Sequence, residues 1–389
     1  MLKFNNVVLV YVIFLFTTVQ CSYDLVEGEI CETEQGVGKC AHVYRCLSSI
    51  VDLKTKSRPA ICSFKKREPV VCCTDCKLVN DTRNAIVDTG GGIFFKNGQK
   101  ARDKCLENLS RLPYPCQSNG LEKVWDKQDK CNNFETKFHA VVIGGQSANR
   151  SSYPHMALLG YGEDVISAQW LCGGSLISDR FILTAAHCLS ETVIGPVTLV
   201  ALGILKRSDP MELWQIYKVR RVIKHPEYAP PSKYNDIALL EVDRPVRYSK
   251  DVFPACLDFG GTEHYSAEAT GWGKLGKNQP LADNLQMVIL EKFSDEKCLK
   301  NYPPHRLLKK GYDAKTQLCY GDPNEPKDTC EGDSGGPLQV RSQFSKCQHT
   351  IIGVTSYGRA CGYAGEAGMY TRVFHYVPWI ESVVWPGRD

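Results

Sequence analysis

Cysteine places the strongest limit on what this chain can fold into. The 389 residues include 19 cysteines, and 18 remain once Cys21, in the amino-terminal segment, is set aside. An even number is typical of proteins that form disulfides in an oxidising compartment. Zinc would be the alternative, but the cysteines and their neighbouring histidines do not repeat at the spacings of zinc fingers or ribbons. We therefore expect disulfides and no metal site.

Six of the cysteines are crowded into a short stretch and predict a small module. They occupy 43 residues and end in an adjacent pair: Cys31, Cys40, Cys46, Cys62, Cys72 and Cys73. A module of this size buries little apolar surface, so three cross-links of about 2–4 kcal/mol each would stabilise it. Adjacent cysteines rarely bond to each other, so the two members of the pair should have different partners. Spacing alone leaves the pairing open.

Residues 1–21 predict a signal peptide. Lys3 is followed by an apolar run, Val7–Phe16, that is about half of the roughly 20 residues needed to span a bilayer. Cleavage near Ser22 would release a secreted, extracellular protein, and an uncleaved anchor is the alternative. No later segment is apolar enough to cross a membrane. Three N-glycosylation sequons agree with this route: Asn80, Asn108 and Asn149.

The charge balance is mild and argues against a nucleic-acid partner. The formal net charge is +4, and 43% of the residues are hydrophobic, as in a globular protein. Basic residues are scattered apart from Lys65–Arg67, which we interpret as an exposed loop. Neither a nucleic acid nor a membrane is expected as a partner.

Residues 74–141 predict a linker between two domains. This segment is polar and charged, and it contains TGGG at residues 89–92. One stretch within it, 101–112, predicts a short helix because its leucines would lie near one face. The remaining residues, 142–389, show short β-rich runs separated by turn residues and a final helical pattern. They predict an all-β barrel or sandwich.

Three short segments of this second domain carry residues with catalytic chemistry. They are LTAAHC with His187, YNDIALLEV with Asp236 and CEGDSGGPL with Ser334. A serine hydroxyl is a poor nucleophile at neutral pH and requires a neighbouring base, which a histidine can supply. An aspartate can hold the imidazole in the correct tautomer and stabilise its cation. In this order and spacing the segments resemble the chymotrypsin-fold serine proteases across residues 142–389.

That resemblance implies an all-β, chymotrypsin-like double β-barrel with a carboxy-terminal helix, which hydrolyses peptides through Ser334 without a cofactor. The backbone N–H groups of Gly332 and Ser334 would form the oxyanion hole. GDSGG also matches the nucleophile elbow of α/β-hydrolases, but that fold requires its acid and histidine after the serine. Only 55 residues follow Ser334, and they predict strands and one helix.

The same resemblance implies cleavage after Arg or Lys. The residue six positions before the nucleophile, Asp328, would form the floor of the primary pocket and attract a basic side chain. Ser356, Gly358 and Gly368 would form the walls of this pocket. Ala367 departs from the Pro or Tyr that is common in relatives, which leaves the fine tuning of the pocket open.

The cysteine-rich module, residues 30–73, resembles the clip domain that precedes protease domains in arthropod extracellular cascades. The resemblance implies the pairs Cys31–Cys72, Cys40–Cys62 and Cys46–Cys73. In the protease domain the implied pairs are Cys172–Cys188, Cys298–Cys319 and Cys330–Cys361. Cys256 would tie this domain to the propeptide, and Cys131 is the nearest candidate partner before the activation site. Four cysteines remain unassigned: Cys76, Cys105, Cys116 and Cys347.

VIGG at residues 142–145 resembles the new amino terminus that trypsin-like zymogens expose on cleavage. The α-amine of Val142 would pair with the carboxylate of Asp333, and this register places the cut at the Val141–Val142 bond. A pocket with Asp328 at its floor should not accept Val141. The activator would therefore be another protease, with a preference for apolar residues. A non-basic activation residue also resembles the snake- and persephone-like clip proteases.

Together these features predict a secreted, glycosylated clip-domain serine protease zymogen. Its substrate would be another zymogen or a cytokine-like precursor in an extracellular cascade of innate immunity (Toll signalling or melanisation) or development, controlled by a serpin-type inhibitor. The alternatives are a digestive trypsin, which the clip module argues against, and a non-catalytic clip-domain adaptor, which the intact triad argues against. Calcium binding is left open, because the loop after Gly203 contains Asp209 and Glu212 but no convincing set of oxygen ligands.

Overall fold

The structure, a computed structural model, describes two compact units. The first comprises the described residues between 25 and 73, and the second comprises those between 98 and 387. The described ranges are 25–33, 36–46, 49, 59–65, 68–73, 98–110, 146–276, 279–326, 329–342, 348–358 and 365–387. No helix within these ranges is both long and apolar enough to cross a membrane.

The first unit is an antiparallel sheet of four strands in the order β1-β2-β4-β3. The strands are β1 (Ile30–Thr33), β2 (Gly36–His42), β3 (Ile61–Lys65) and β4 (Glu68–Cys73), and a 3-10 helix, Val43–Arg45, follows β2. Three disulfides cross-link it: Cys31–Cys72, Cys40–Cys62 and Cys46–Cys73. These are the pairs that the clip-domain resemblance implied. The buried half-cystines supply most of the core of this small unit.

The second unit contains two closed barrels of six strands each. The first barrel follows the order β11-β12-β8-β7-β6-β10 and closes because β10 also pairs with β11. Its strands are β6 (Met156–Tyr161), β7 (Gln169–Leu176), β8 (Phe181–Thr184), β10 (Gly195–Leu202), β11 (Gln215–Lys224) and β12 (Ala238–Val242). A two-residue strand, β9 (Ser190–Glu191), pairs with β10.

The second barrel follows the order β18-β17-β14-β15-β16-β19 and closes through pairing of β18 with β19. Its strands are β14 (Ser266–Gly271), β15 (Gln286–Lys292), β16 (Gln317–Gly321), β17 (Pro337–Arg341), β18 (His349–Tyr357) and β19 (Ala367–Arg372). Two short strands join its sheet: β5 (Gln146–Ser147) on β15 and β13 (Cys256–Leu257) on β18. The predicted chymotrypsin-like double barrel is confirmed.

Some barrel strands are buried on both faces, with alternate residues in different cores. In β10, Val200 and Leu202 belong to the core of the first barrel, whereas Leu199 and Ala201 pack in a second cluster. This period of two is the geometry of an extended strand. The second barrel has its own core, which includes Leu290 and Leu338.

In the described part of the second unit, three α-helices flank the barrels: α1 (Gln99–Ser110), α2 (Asp295–Asn301) and α3 (Val373–Val384). The helix predicted within 101–112 and the carboxy-terminal helix are therefore confirmed. Two further disulfides match the pairs implied by the protease resemblance: Cys172–Cys188 and Cys298–Cys319.

Cys256 is bonded to Cys105 and not to Cys131, so that prediction was wrong. Cys105 is a buried residue of α1, and its Cα atom lies 5.1 Å from that of Cys256 on β13. The prediction took the nearest cysteine before the activation site, but distance along the chain does not decide which cysteine faces β13. Packing of α1 beside β13 and α3 decides it, and so a helix of the predicted linker belongs to the protease unit.

A buried glutamate fixes the beginning of α1. One carboxylate oxygen of Glu381, in α3, accepts a hydrogen bond from the N–H of Ala101 at 2.7 Å, and the other accepts from Gly98 at 3.1 Å. The first N–H groups of a helix have no partner within the helix and carry its positive dipole end, so an anion there is stabilising.

The same helix buries Asn108, which is 8% exposed. A glycan requires an exposed amide, so the glycosylation prediction for Asn108 is corrected.

Candidate active site

His187 and Asp236 meet at the ends of two neighbouring strands of the first barrel. His187 lies in a 3-10 helix, Ala186–Leu189, directly after β8, and Asp236 lies just before β12, the strand that pairs with β8. The Nδ1 atom of His187 is 2.7 Å from Oδ2 of Asp236. The backbone N–H of His187 donates to Oδ1 at 2.9 Å. The carboxylate therefore holds both the ring and the backbone of the histidine.

The second ring nitrogen of His187 is available for proton transfer. Among the described residues, Nε2 has only a weak contact with Sγ of Cys188, at 3.8 Å. The side chain is 34% exposed, so a substrate can reach it. A base held on one side by a carboxylate and open on the other is the arrangement that serine activation requires.

Two hydroxyl groups of the second barrel donate hydrogen bonds to Asp236. Asp236 is 3% exposed; its Oδ2 atom accepts from the hydroxyl of Ser356, and its carbonyl oxygen accepts from Thr371 at 2.8 Å. Burial raises the pKa of the Asp236 carboxyl, but the hydrogen bonds from His187 and Ser356 outweigh this effect. The pKa of Asp236 therefore lies below its ordinary value, and the group is ionised at neutral pH.

The contact of Ser356 with Asp236 was not foreseen from the sequence, where Ser356 was assigned to the pocket wall. The two residues are 120 positions apart in the chain and belong to different barrels. No local pattern marks such a contact, because it exists only once the two barrels have packed.

The loop that carries Ser334 leaves the second barrel and packs against the first. The carbonyl oxygen of Ser334 accepts a hydrogen bond from the N–H of Gly173 in β7, at 2.8 Å. Gly335 has a φ of +76°, and a Cβ atom there would lie 2.2 Å from Oγ1 of Thr184. Only glycine tolerates both the angle and the contact. Thr184 precedes His187 by three residues, so the nucleophile loop lies against the turn that carries the base.

The predicted oxyanion donors are the N–H groups of Gly332 and Ser334. Neither donates a hydrogen bond to another described residue. The N–H between them, that of Asp333, donates instead to the carbonyl oxygen of Cys330 at 3.0 Å. The turn is thus held by its neighbours while two donors remain for the negative charge that develops on a substrate carbonyl.

The carboxylate of Asp333 is enclosed beneath the nucleophile loop. It accepts hydrogen bonds from the N–H of Gly273 at 2.8 Å and that of Cys330 at 2.9 Å. A Cβ atom on Gly271 would lie 2.0 Å from this carboxylate, and one on Gly273 would lie 2.5 Å away. The TGWG segment therefore provides the space for the carboxylate. Two glycines flanking one tryptophan are a sequence signal for such a close approach.

Burial without a cation raises the pKa of the Asp333 carboxyl to about 6, because the two N–H donors offset only part of the desolvation. In the uncleaved chain the folded state then binds this proton more tightly than the unfolded state does. The stability contribution is present at pH 4 and is lost as the pH rises through 6. The cost at pH 7.5 is about 3 kcal/mol, since each pKa unit corresponds to about 1.4 kcal/mol.

We therefore expect the stability of Asp333→Asn relative to the parent to rise by about 3 kcal/mol between pH 4 and pH 7.5. This rise adds to a cost that does not change with pH, because the amide NH₂ cannot accept the N–H bond that a carboxylate oxygen accepts. Urea unfolding of both proteins between pH 4 and pH 8 measures this difference, and every other titrating group cancels in the comparison. A difference that does not change with pH would contradict the account of this carboxylate.

The predicted floor of the primary pocket, Asp328, lies outside the described residues. Its neighbour Thr329 is described, and the Thr329 hydroxyl lies 3.1 Å from the hydroxyl of Tyr370 on β19. Of the three predicted wall residues, Ser356 lies on β18 and Gly358 directly follows that strand. Gly368 lies on β19, which pairs with β18.

Several other predicted sites also fall outside the described residues: Val141, Val142, Asn80, Cys76, Cys116, Cys131, Cys347 and Cys361. Cys330 is itself disulfide-bonded. Asn149 is exposed before β6.

Of the two acids considered for calcium, Glu212 is exposed. The carboxylate of Asp209 accepts from the Arg150 guanidinium at 2.7 Å and from two backbone N–H groups.

Comparison with known proteins agrees with this geometry. A family model described as Trypsin matches residues 142–380. The chain belongs to the trypsin family. Three trypsin-family relatives show how far the similarity extends beyond the protease domain. Serine protease snk of Drosophila melanogaster is 28% identical over 384 residues, which are 93% of this chain and 80% of that protein.

The venom serine protease Bi-VSP of Bombus ignitus is 30% identical over 87% of this chain and 88% of that protein. The CLIP domain-containing serine protease C9 of Anopheles gambiae is 31% identical over 70% of this chain and 77% of that protein. The chain is therefore a serine protease of the trypsin family and a hydrolase. The clip-domain and snake-like assignment made from the sequence is confirmed by the same relatives.

Proposed function

We propose that this protein is a secreted zymogen of a serine endopeptidase that cleaves after Arg or Lys. The observation that carries the catalytic part is the carboxylate–histidine pair, Asp236 and His187, directly beside the loop of Ser334. The basic preference is supported by Asp328, whose neighbour Thr329 contacts Tyr370 beside the β18–β19 wall. A carboxylate at that position would pair with a guanidinium or ammonium group and would be left unpaired by an apolar side chain.

The reaction is acyl transfer in two stages. His187 Nε2 takes the proton of Ser334 as the hydroxyl oxygen attacks the substrate carbonyl, and Asp236 stabilises the imidazolium that results. The N–H groups of Gly332 and Ser334 stabilise the oxyanion, a contribution of about 3–4 kcal/mol per donor. His187 then gives its proton to the leaving amine, and water releases the acyl group from Ser334 by the same route.

Activation would proceed by cleavage of the Val141–Val142 bond. The new α-amine, with a pKa near 8, is charged at neutral pH and would offset the buried carboxylate of Asp333. The raised pKa of Asp333 in its enclosed site supports this role, since the two N–H donors offset only part of the desolvation and a cation would offset more of it. The activating enzyme would require a preference for apolar residues because Val141 precedes the bond.

The clip unit ahead of the protease supports a role in an extracellular cascade. The substrate would be another protease zymogen or a cytokine-like precursor, in innate immunity (Toll signalling or melanisation) or development, and a serpin-type inhibitor would end the activity. The intact pairing of His187 with Asp236 favours this enzyme over a non-catalytic adaptor.

The test uses the recombinant chain cleaved at Val141–Val142 by a protease that accepts valine, with the new terminus verified by sequencing. We expect turnover of peptide substrates ending in Arg or Lys and none above background for Val or Phe. Asp328→Asn should lower kcat/KM for the Arg substrate at least about 100-fold, because a buried charge would lose its partner. Ser334→Ala is the inactive control.

The outcomes separate the alternatives. Turnover that favours Val or Phe would contradict the specificity. Absence of turnover in a chain with the correct new terminus would contradict the catalytic role and favour the adaptor.

A further inference from the structure

A row of cations covers the outer face of one strand of the first barrel. The sequence predicted scattered basic residues, but β11 has four that are exposed: Lys218, Arg220, Arg221 and Lys224. Val219 and Ile223 of the same strand pack against the barrel core. The alternation between core and solvent therefore places the cations together on the solvent side.

A bulge makes this row denser than a regular strand would allow. The pairing of β11 with β12 shifts register between Val219 and Arg221. A bulge places two successive residues opposite one residue of the partner strand. Arg220 and Arg221 can thus both reach solvent, and their side chains are 65% and 57% exposed.

Two more arginines extend the row at the Lys218 end, and both are held by defined contacts. The Arg244 guanidinium lies 4.5 Å from the centre of the Tyr217 ring and donates to the carbonyl oxygen of Ile216 at 2.6 Å. The backbone of Arg247 is bonded to the side chains of Gln215 and Tyr217. We call the six residues the basic strip: Lys218, Arg220, Arg221, Lys224, Arg244 and Arg247.

The basic strip has more positive charge than its paired acids can neutralise. Arg220 and Arg221 share one carboxylate, Glu241, at 3.5 and 2.8 Å. Arg244 pairs with Asp243 at 2.9 Å. The other three cations form no ion pair with a described residue. Six cations and two carboxylates leave an excess of four, as large as the net charge of +4 on the whole chain.

The form of the basic strip indicates what it can bind. The neighbouring strand β10 contains no charged residue. β11 pairs with β10 over residues 215–218 and with β12 over residues 219–224, so each half of the strand already has one partner strand. Four of the five exposed side chains between Lys218 and Lys224 are cations, so side-chain charge dominates recognition. From Lys218 to Lys224 the strand extends about 20 Å, at roughly 3.3 Å per residue. Guanidinium groups match the geometry of sulfate and carboxylate oxygens.

We propose that the basic strip binds a linear sulfated polysaccharide. An acidic protein segment would satisfy the same charges, but β11 itself presents one exposed large apolar side chain, Val222, to anchor a peptide. A polymer with a sulfate on successive sugars can follow a row of cations without further contacts. Binding would be dominated by the release of counterions and would weaken steeply with salt.

The test measures heparin binding by the uncleaved chain, so its outcome does not depend on whether the protease cleaves after basic residues. One variant replaces Lys218, Arg220, Arg221 and Lys224 by Gln. The matched control replaces four exposed lysines elsewhere by Gln: Lys300, Lys309, Lys310 and Lys315. Both variants keep the same net charge as each other. Thermal unfolding verifies that both remain folded.

We expect the strip variant to bind heparin at least tenfold more weakly at 0.15 M NaCl, and the control to bind within about twofold of the parent. The slope of log Kd against log salt should fall by about 3, since each lost contact removes somewhat less than one. Glu241→Gln should act in the opposite direction and tighten binding, because it frees Arg220 and Arg221.

Two results would overturn the proposal. An equal loss in the strip variant and the control would mean that overall charge, and not the strip, attracts heparin. Unchanged heparin binding in the strip variant, together with weakened binding of polyglutamate, would assign the strip to an acidic protein segment instead.

Discussion

Replacing Asp236 by Asn lowers kcat of the activated protease about 10⁴-fold, with little change in stability. The backbone N–H of His187 donates to Oδ1, so an asparagine must place its carbonyl oxygen there and its amide NH₂ toward Nδ1. The imidazole then has to accept at Nδ1 and carry its proton on Nε2. In that tautomer it cannot take the proton of Ser334, and the size of the loss is that of the general Ser–His–Asp template.

The measurement is single-turnover and steady-state kinetics on an Arg-containing peptide, with thermal unfolding as the check on folding. Ser356→Ala is the informative companion, because it removes a donor to Oδ2 but leaves the histidine tautomer unchanged. We expect that companion to lose far less activity than Asp236→Asn. A loss below about tenfold for Asp236→Asn would mean that the carboxylate does not orient the base.

Replacing Val141 by Arg converts a chain that depends on an outside protease into one that activates itself. If Asp328 forms the floor of the pocket, the bond after residue 141 becomes a substrate for the enzyme that its own cleavage produces. We expect a sigmoidal time course that accelerates with protein concentration, since one molecule cuts another. Cleavage should be at least about 100-fold faster than in the parent chain, because valine leaves the pocket acid unpaired.

The appearance of the new terminus, Val142, is followed by gel electrophoresis and amino-terminal sequencing. The same substitution combined with Ser334→Ala should stay intact until active enzyme is added. Val141→Ala, which stays apolar, should not activate itself. If the Val141→Arg chain remained uncleaved although an added trypsin cut and activated it, the inferred preference for basic residues would be contradicted.

Cysteine pairing shows where prediction from the sequence succeeded and where it failed. The clip-domain pairs lie within 43 residues, and a family pattern covers all six cysteines. The Cys105–Cys256 bond spans 151 residues and depends on where α1 packs. The leucine spacing of the linker predicted the helix, but nothing in it indicated that the helix would lie against β13 with Glu381 at its amino terminus.

The site residues also divide into those that the sequence identified and those that only tertiary packing revealed. His187, Asp236 and Ser334 could be identified because each belongs to a short motif whose chemistry is specific. The partners that hold them could not: Ser356 at the carboxylate, Thr184 against Gly335, and Gly273 at Asp333 come from other strands. The first two contacts form only when the two barrels pack, and the third forms when β14 pairs with β17 in the second barrel. No local propensity records any of them.

The amino-acid sequence by itself determined the clip-protease plan, the all-β class and the identity of the chemical groups, because these depend on residue type and on spacing within short segments. Tertiary packing alone decided which helix is tethered to the protease, how Asp236 is held and that six separate cations form one basic strip. Such contacts join residues more than a hundred positions apart or depend on a register shift between two strands. Only closed barrels bring those residues within a few ångströms of each other.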